Sequence, residues 1–213
     1  MTTEQTKPRL RGRLHQVAFF VSVPLGGVLL VAAETAVARI ASTVYALTLS
    51  GLYGVSAAFH RGAWGPRAWA TMRRLDHSMI FLLIAGTYTP FALLVLPSPW
   101  STTVLVIVWG GALAGILLRT LLPGLASLRN TLYIVLGWTA LITLPVTIRQ
   151  LSPAALGLLV AGGVLYTAGA VMLGLRKPDP DPAVFGYHEV WHGMVIGGSA
   201  CHYILILSLV MTS

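Results

Sequence analysis

His188-Glu189-Val190-Trp191-His192 opens a run that stays apolar to about residue 211. About 20 residues, at about 1.5 Å each, are what a helix needs to cross the hydrocarbon core of a bilayer. Read as a helix, the run places its two histidines four residues apart on one face, where both imidazoles can converge on one point. Neutral imidazole is a preferred zinc ligand, and a zinc site needs three or four such groups. The same five residues therefore ask for two things: other spans to pack against, and other ligands.

Upstream, six more apolar runs lie at about 17–34, 40–59, 76–97, 100–118, 130–148 and 154–174. Short charged or Pro/Gly-rich breaks separate them: Arg61 to Arg74, Pro97-Ser98-Pro99, Leu122-Pro123-Gly124, Ser152-Pro153, and Lys177-Pro178-Asp179-Pro180-Asp181-Pro182. The pattern predicts an all-α membrane protein, a bundle of seven transmembrane helices (17–213) preceded by a basic segment (1–16). Composition agrees, with 56% apolar and 9% charged residues against about 25% charged in a soluble domain. Ala36-Val37-Ala38 after the first run resembles a signal-peptide cleavage site, yet the run is long enough to span, so an uncleaved helix is expected.

The net charge of +8 does not mark a nucleic-acid binder, because the basic residues are dispersed between apolar runs. They follow the positive-inside rule instead. Of the 14 Lys and Arg, 12 fall in one set of alternate loops, and only Arg39 and Arg149 fall in the other. The N-terminus is expected in the cytoplasm and the C-terminus outside. One cysteine, Cys201, excludes an intrachain disulfide and a cysteine-based metal cluster.

This topology brings distant residues into one layer. His60 ends the second run, Asp76 opens the third, and His188 and His192 start the seventh, all at the cytoplasmic face. Ser56 lies one turn deeper than His60 on the same face. Helix bundles build metal sites from side chains on facing helices, and His60 is the candidate third ligand. Each residue has a plainer reading: Asp76 as the N-cap of the third helix, His60 as a solvated helix end. A histidine pair inside a span resists that treatment, since intramembrane ionisable groups are costly and default to function. His77, about 100° around the helix from Asp76, is expected to bond locally. His15 is expected to face lipid headgroups, and His202 lies deep on another face. His188-Glu189-x-x-His192 also spells the zinc-protease motif in which Glu is the general base. No further acidic ligand follows Glu189, which is expected near the headgroup layer at a helix N-terminus.

Three stretches together resemble a known family: Ser56-Ala57-Ala58-Phe59-His60, Asp76-His77-Ser78-Met79-Ile80-Phe81-Leu82-Leu83-Ile84-Ala85-Gly86-Thr87-Tyr88-Thr89-Pro90, and His188-Glu189-Val190-Trp191-His192. They are similar to the haemolysin III family, the bacterial branch of the progestin and adiponectin Q receptor superfamily, over essentially the whole chain. The resemblance implies seven spans and a zinc ion held by His60, His188 and His192. It also implies that Asp76 holds the water completing the coordination and that Ser56 lies beside the site. The superfamily looks like the alkaline ceramidases, which implies hydrolysis of a lipid amide. Its members are also described as receptors, as haemolysins and as factors in membrane-lipid homeostasis.

The residues themselves agree with an enzyme. Three protein ligands leave a fourth zinc position for water, whose pKa falls toward about 7. Asp76 could then take and return a proton, and Ser56 could donate to the oxyanion. The expected function is zinc-dependent hydrolysis of a membrane lipid at the cytoplasmic leaflet of a bacterial inner membrane. A different class, a lipid sensor whose zinc is structural, stays open, as does an intramembrane metalloprotease. An ion channel ranks last, for want of a polar path through the outer halves of the spans. Oligomeric state and substrate identity are not legible.

Overall fold

The computed structural model describes residues 7–122 and 126–213, with the side chains at 126, 127, 129 and 130 also outside the description. Residues 1–6 of the basic segment, the Pro123-Gly124 break and the Arg129 side chain lie outside it. Among the described residues eight α-helices follow one another: α1 (Arg13–Ala32), α2 (Ala36–Arg61), α3 (Pro66–Leu94), α4 (Trp100–Leu121), α5 (Ala126–Gly137), α6 (Leu144–Gln150), α7 (Pro153–Leu175) and α8 (Tyr187–Val210). Seven helical segments among the described residues are long and apolar enough to cross a membrane, the fifth being Thr131–Gln150, which takes in most of α5, a 3-10 stretch (Thr139–Thr143) and α6.

Local signals set the boundaries. Thr35 caps α2 by accepting from the Ala38 N–H at 3.1 Å, and Ser152 caps α7 through Ala155 at 3.2 Å. Such caps satisfy backbone donors that would otherwise be orphaned at a helix start. Pro66 starts α3, where its missing N–H costs nothing. The third helix therefore begins well before position 76, and Asp76 lies about three turns inside it. The N-cap reading of Asp76 is excluded. In the fifth crossing the backbone breaks around Gly137, and Tyr88 of α3 patches it: its hydroxyl donates to the Gly137 carbonyl at 2.7 Å and accepts from the Ala140 N–H at 2.8 Å.

Successive helices α1 to α4 pack side by side, α7 packs on α8, and α8 returns against α1, α2 and α3. Two apolar clusters fill the interior, one around Phe81, Phe91 and Val108, the other around Leu29, Tyr45 and Ile206. The outer face is apolar too: Val31, Leu47, Val106 and Leu121 are largely exposed. Meanwhile Ser42, Ser56, Thr143, His192 and Ser199 are buried. A continuous apolar exterior around a partly polar interior suits lipid rather than water. The chain is a multi-pass membrane protein.

Candidate metal centre

The last turn of α2 and the first turns of α8 lie at the same end of the bundle, so His60 meets His188 and His192 across more than a hundred residues of sequence. His60 Nε2 and His188 Nε2 are 3.2 Å apart. One ligand atom from each of the three histidines falls within 4.8 Å of the others. Four ligands at about 2.0–2.1 Å from a tetrahedral zinc stand about 3.3–3.4 Å from one another, so the His60–His188 pair is already near that spacing and the more widely set contacts must draw in for all three to reach one ion. His192 is fully buried, and neither of its ring nitrogens has a hydrogen-bond partner among the described residues. Burying those atoms is costly without a partner, and a cation in the cluster supplies one. The His60/His188/His192 cluster is placed to hold a metal ion.

Asp76 comes to this layer from α3 and is 8% exposed, while Ser56 of α2 is 3% exposed. Ser56 is a hydrogen-bonding neighbour of the Asp76 carboxyl, and the charge of Arg119 acts on it. Arg119, counted in the sequence only as a loop charge, is buried and donates to the Arg73 carbonyl at 3.4 Å. His77 bonds locally, as its position around the helix suggests: its Nδ1 lies 2.9 Å from the Arg73 carbonyl and 3.5 Å from Asp76 Oδ2. His202 is remote from the cluster and contacts the Leu159 carbonyl of α7 at 3.3 Å.

Two expectations are corrected. His15 does not face the headgroups: it is 2% exposed and its ring stacks on His192, with centroids 3.7 Å apart and planes 11° apart. The chain before α1 carries it there. The Arg9 and Leu10 N–H groups donate to the Ala183 and Val184 carbonyls at 2.9 and 3.1 Å, pinning the N-terminal segment to the loop before α8. Glu189 does stand at a helix N-terminus, as expected, but its side chain is fully buried in the protein instead of meeting headgroups. One oxygen accepts from the Gly186 N–H at 3.0 Å, the reach-back half of a capping box, and the other from Arg11 Nε at 2.5 Å. Both oxygens are thus engaged in tying the start of α8 to Gly186 and to Arg11.

The sequence signature, the seven crossings and this histidine geometry all point to one family. The haemolysin-III-related family model matches residues 3–203. The chain belongs to the haemolysin III family. It is 34% identical to hemolysin-3 of Bacillus cereus over 201 residues, which cover 92% of the chain and 89% of that protein. It is 39% identical to a hemolysin-3 homolog of Bacillus subtilis (strain 168) over 134 residues, 62% of the chain and 60% of that relative. Within this haemolysin III protein, the three metal-disposed histidines and Asp76 all fall inside the matched region.

Proposed function

We propose that the protein is an integral-membrane zinc hydrolase of a lipid amide, acting at the cytoplasmic leaflet of the bacterial plasma membrane in membrane-lipid homeostasis. One observation carries the reading: three imidazoles from α2 and α8 gather in the layer that also holds the buried Asp76 carboxyl and Ser56 hydroxyl. Three protein ligands are the pattern of catalytic zinc, whereas closed structural sites use four. The concentration of Lys and Arg in one set of loops supports a cytoplasmic location for this layer.

When bound, zinc supplies Lewis acidity, polarising a carbonyl and making water reactive near neutral pH. The chain's own groups handle the proton and the charge. Asp76 accepts the proton of the attacking water as the new C–O bond forms. It then delivers that proton to the amide nitrogen as the C–N bond breaks, leaving a carboxylic acid and an amine. Ser56, whose hydroxyl is hydrogen-bonded to the Asp76 carboxyl at rest, turns to donate to the carbonyl oxygen once Asp76 carries the proton and negative charge builds there. The apolar exterior lets a lipid approach sideways with its acyl chains still in the bilayer.

A lipid sensor with a structural zinc has support of its own. α2 and α8 otherwise touch only sparingly, so a shared metal would staple them together. The deciding experiment measures zinc content and hydrolysis of a short-chain ceramide on the purified wild type, His188→Ala and Asp76→Ala. The hydrolase reading expects His188→Ala to lose both zinc and activity. It expects Asp76→Ala to keep zinc while activity falls by about a hundredfold or more. Unchanged turnover in Asp76→Ala rejects the mechanism. Zinc without turnover in the wild type moves the assignment to the sensor.

A further inference from the structure

His15 stands in the first turn of α1, flat against His192 on one side and tilted to Tyr53 at a centroid distance of 5.1 Å. Both of its ring nitrogens are shut away from solvent, and neither has a hydrogen-bond partner among the described residues. Leaving a buried polar group without a partner costs about 1–3 kcal/mol. A phenylalanine would give the same stack at none of that cost. The imidazole therefore needs an acceptor or donor that no described side chain or backbone group supplies.

The stack sets His15 against the histidine cluster. Rings only 11° from parallel, with centroids 3.7 Å apart, hold the His15 nitrogens one van der Waals layer above the plane of His192. That ring is one of the three that converge on the metal position. A nitrogen stacked above a ligand ring cannot aim at an ion lying in that ring's plane, so His15 is not a fourth ligand. It is, however, packed directly against a ring of that cluster, with both of its own nitrogens unpartnered among the described residues. An imidazole carries at least one N–H in every tautomer.

We propose that His15 is a further binding residue of this centre, donating a hydrogen bond to an oxygen acceptor, a carbonyl or carboxylate, that occupies the open position beside His60, His188 and His192. The proposal rests on the metal-centre reading. The segment just before it holds His15 in place, through contacts to both α8 and α2. Arg11 is tied to Glu189, and Gly12 packs so closely on α2 that a Cβ there would fall 2.7 Å from that of His60.

The test uses the purified full chain loaded with cobalt(II), with acetohydroxamate as an oxygen-donor probe followed by the visible absorption of the metal. His15→Phe keeps the stack and removes the donor. It should retain one equivalent of cobalt while its affinity for acetohydroxamate falls about tenfold, the loss expected for one hydrogen bond. Unchanged probe affinity overturns the proposal, and so does loss of cobalt from His15→Phe, which would make the residue a support of His192 alone. Should His15→Phe fail to fold, His15→Gln is compared with His15→Leu: both lose the ring, and only Gln should preserve part of the probe affinity. A wild type that binds no cobalt or zinc rejects the metal centre itself, a result distinct from a cobalt-loaded pair that bind the probe equally.

Discussion

Arg11 and Glu189, 178 positions apart in sequence, form an ion pair at 2.5 Å that fastens the N-terminal segment over the start of α8. The Glu189 side chain is 1% exposed and that of Arg11 20%. Removing one partner of such a pair strands the other, and the more deeply buried survivor suffers more. Arg11→Ala, which abandons the buried carboxylate, should therefore destabilise by about 3 kcal/mol. Glu189→Gln should cost less, because a Gln oxygen can still accept from Gly186 and Arg11 can turn to water. Thermal melting of the three proteins in one detergent checks the order. Equal melting points would mean that the pair contributes nothing.

Glu189→Gln also separates the two hydrolase readings. A zinc protease loses its base with this change, whereas a site that relies on Asp76 keeps its proton carrier. Zinc content and ceramide hydrolysis should stay within about threefold of wild type, a shift of about 0.7 kcal/mol. A collapse of activity with zinc and fold intact would return Glu189 to the chemistry.

Metal removal should be felt in stability as well as activity. A ligand bound only by the folded state stabilises it by about 4 kcal/mol at a thousand times its Kd. Wild-type protein should melt at a lower temperature after chelation and recover on adding zinc. His60→Ala, His188→Ala and His192→Ala should each melt at the chelated temperature and show no response to zinc. A normal zinc response in any one variant would remove that histidine from the ligand set.

Gly12 offers a backbone test of the same region. Its φ of 78° lies in the left-handed region, where a side chain costs about 1–2 kcal/mol, and a Cβ there would also press on His60. Gly12→Ala should weaken zinc binding without unfolding the bundle. Helical content by circular dichroism and zinc affinity by chelator competition are the two readouts. Unaltered affinity would show that His60 is positioned independently of the segment before α1.

Much of this was open to sequence reading because lipid imposes a simple code. Runs of about 20 apolar residues separated by Pro, Gly and charges give seven crossings with little ambiguity. His60, His188 and His192 follow from the alternating direction of the helices, which returns the end of the second run and the start of the last to one layer. His15 and Arg119 lie at the ends of spans, where composition cannot tell a side chain that turns inward from one that meets the headgroups. Hydropathy sets Asp76 at a helix start because it marks only the membrane-embedded part of a helix, whereas α3 begins earlier, in the polar stretch at Pro66. The fifth crossing read as one run because Gly137 and Pro145 interrupt the backbone without interrupting its hydrophobicity.

Arg119 gives the last expectation its force. It reaches from the last turn of α4 to the Arg73 carbonyl of α3, and its positive charge acts on Asp76. A carboxylate that must take up and release a proton is sensitive to a cation held nearby, and a buried arginine is held more firmly than an exposed one. Arg119→Met should leave zinc content unchanged and lower ceramide hydrolysis about tenfold, equivalent to about 1.4 kcal/mol of transition-state stabilisation. Arg119→Lys should recover part of the rate, since it restores the charge without the planar fork that reaches the α3 backbone. The split between zinc binding and turnover is the informative readout. Loss of zinc would mean that Arg119 holds α3 in register for the metal site, and full activity in Arg119→Met would free Asp76 from any dependence on it.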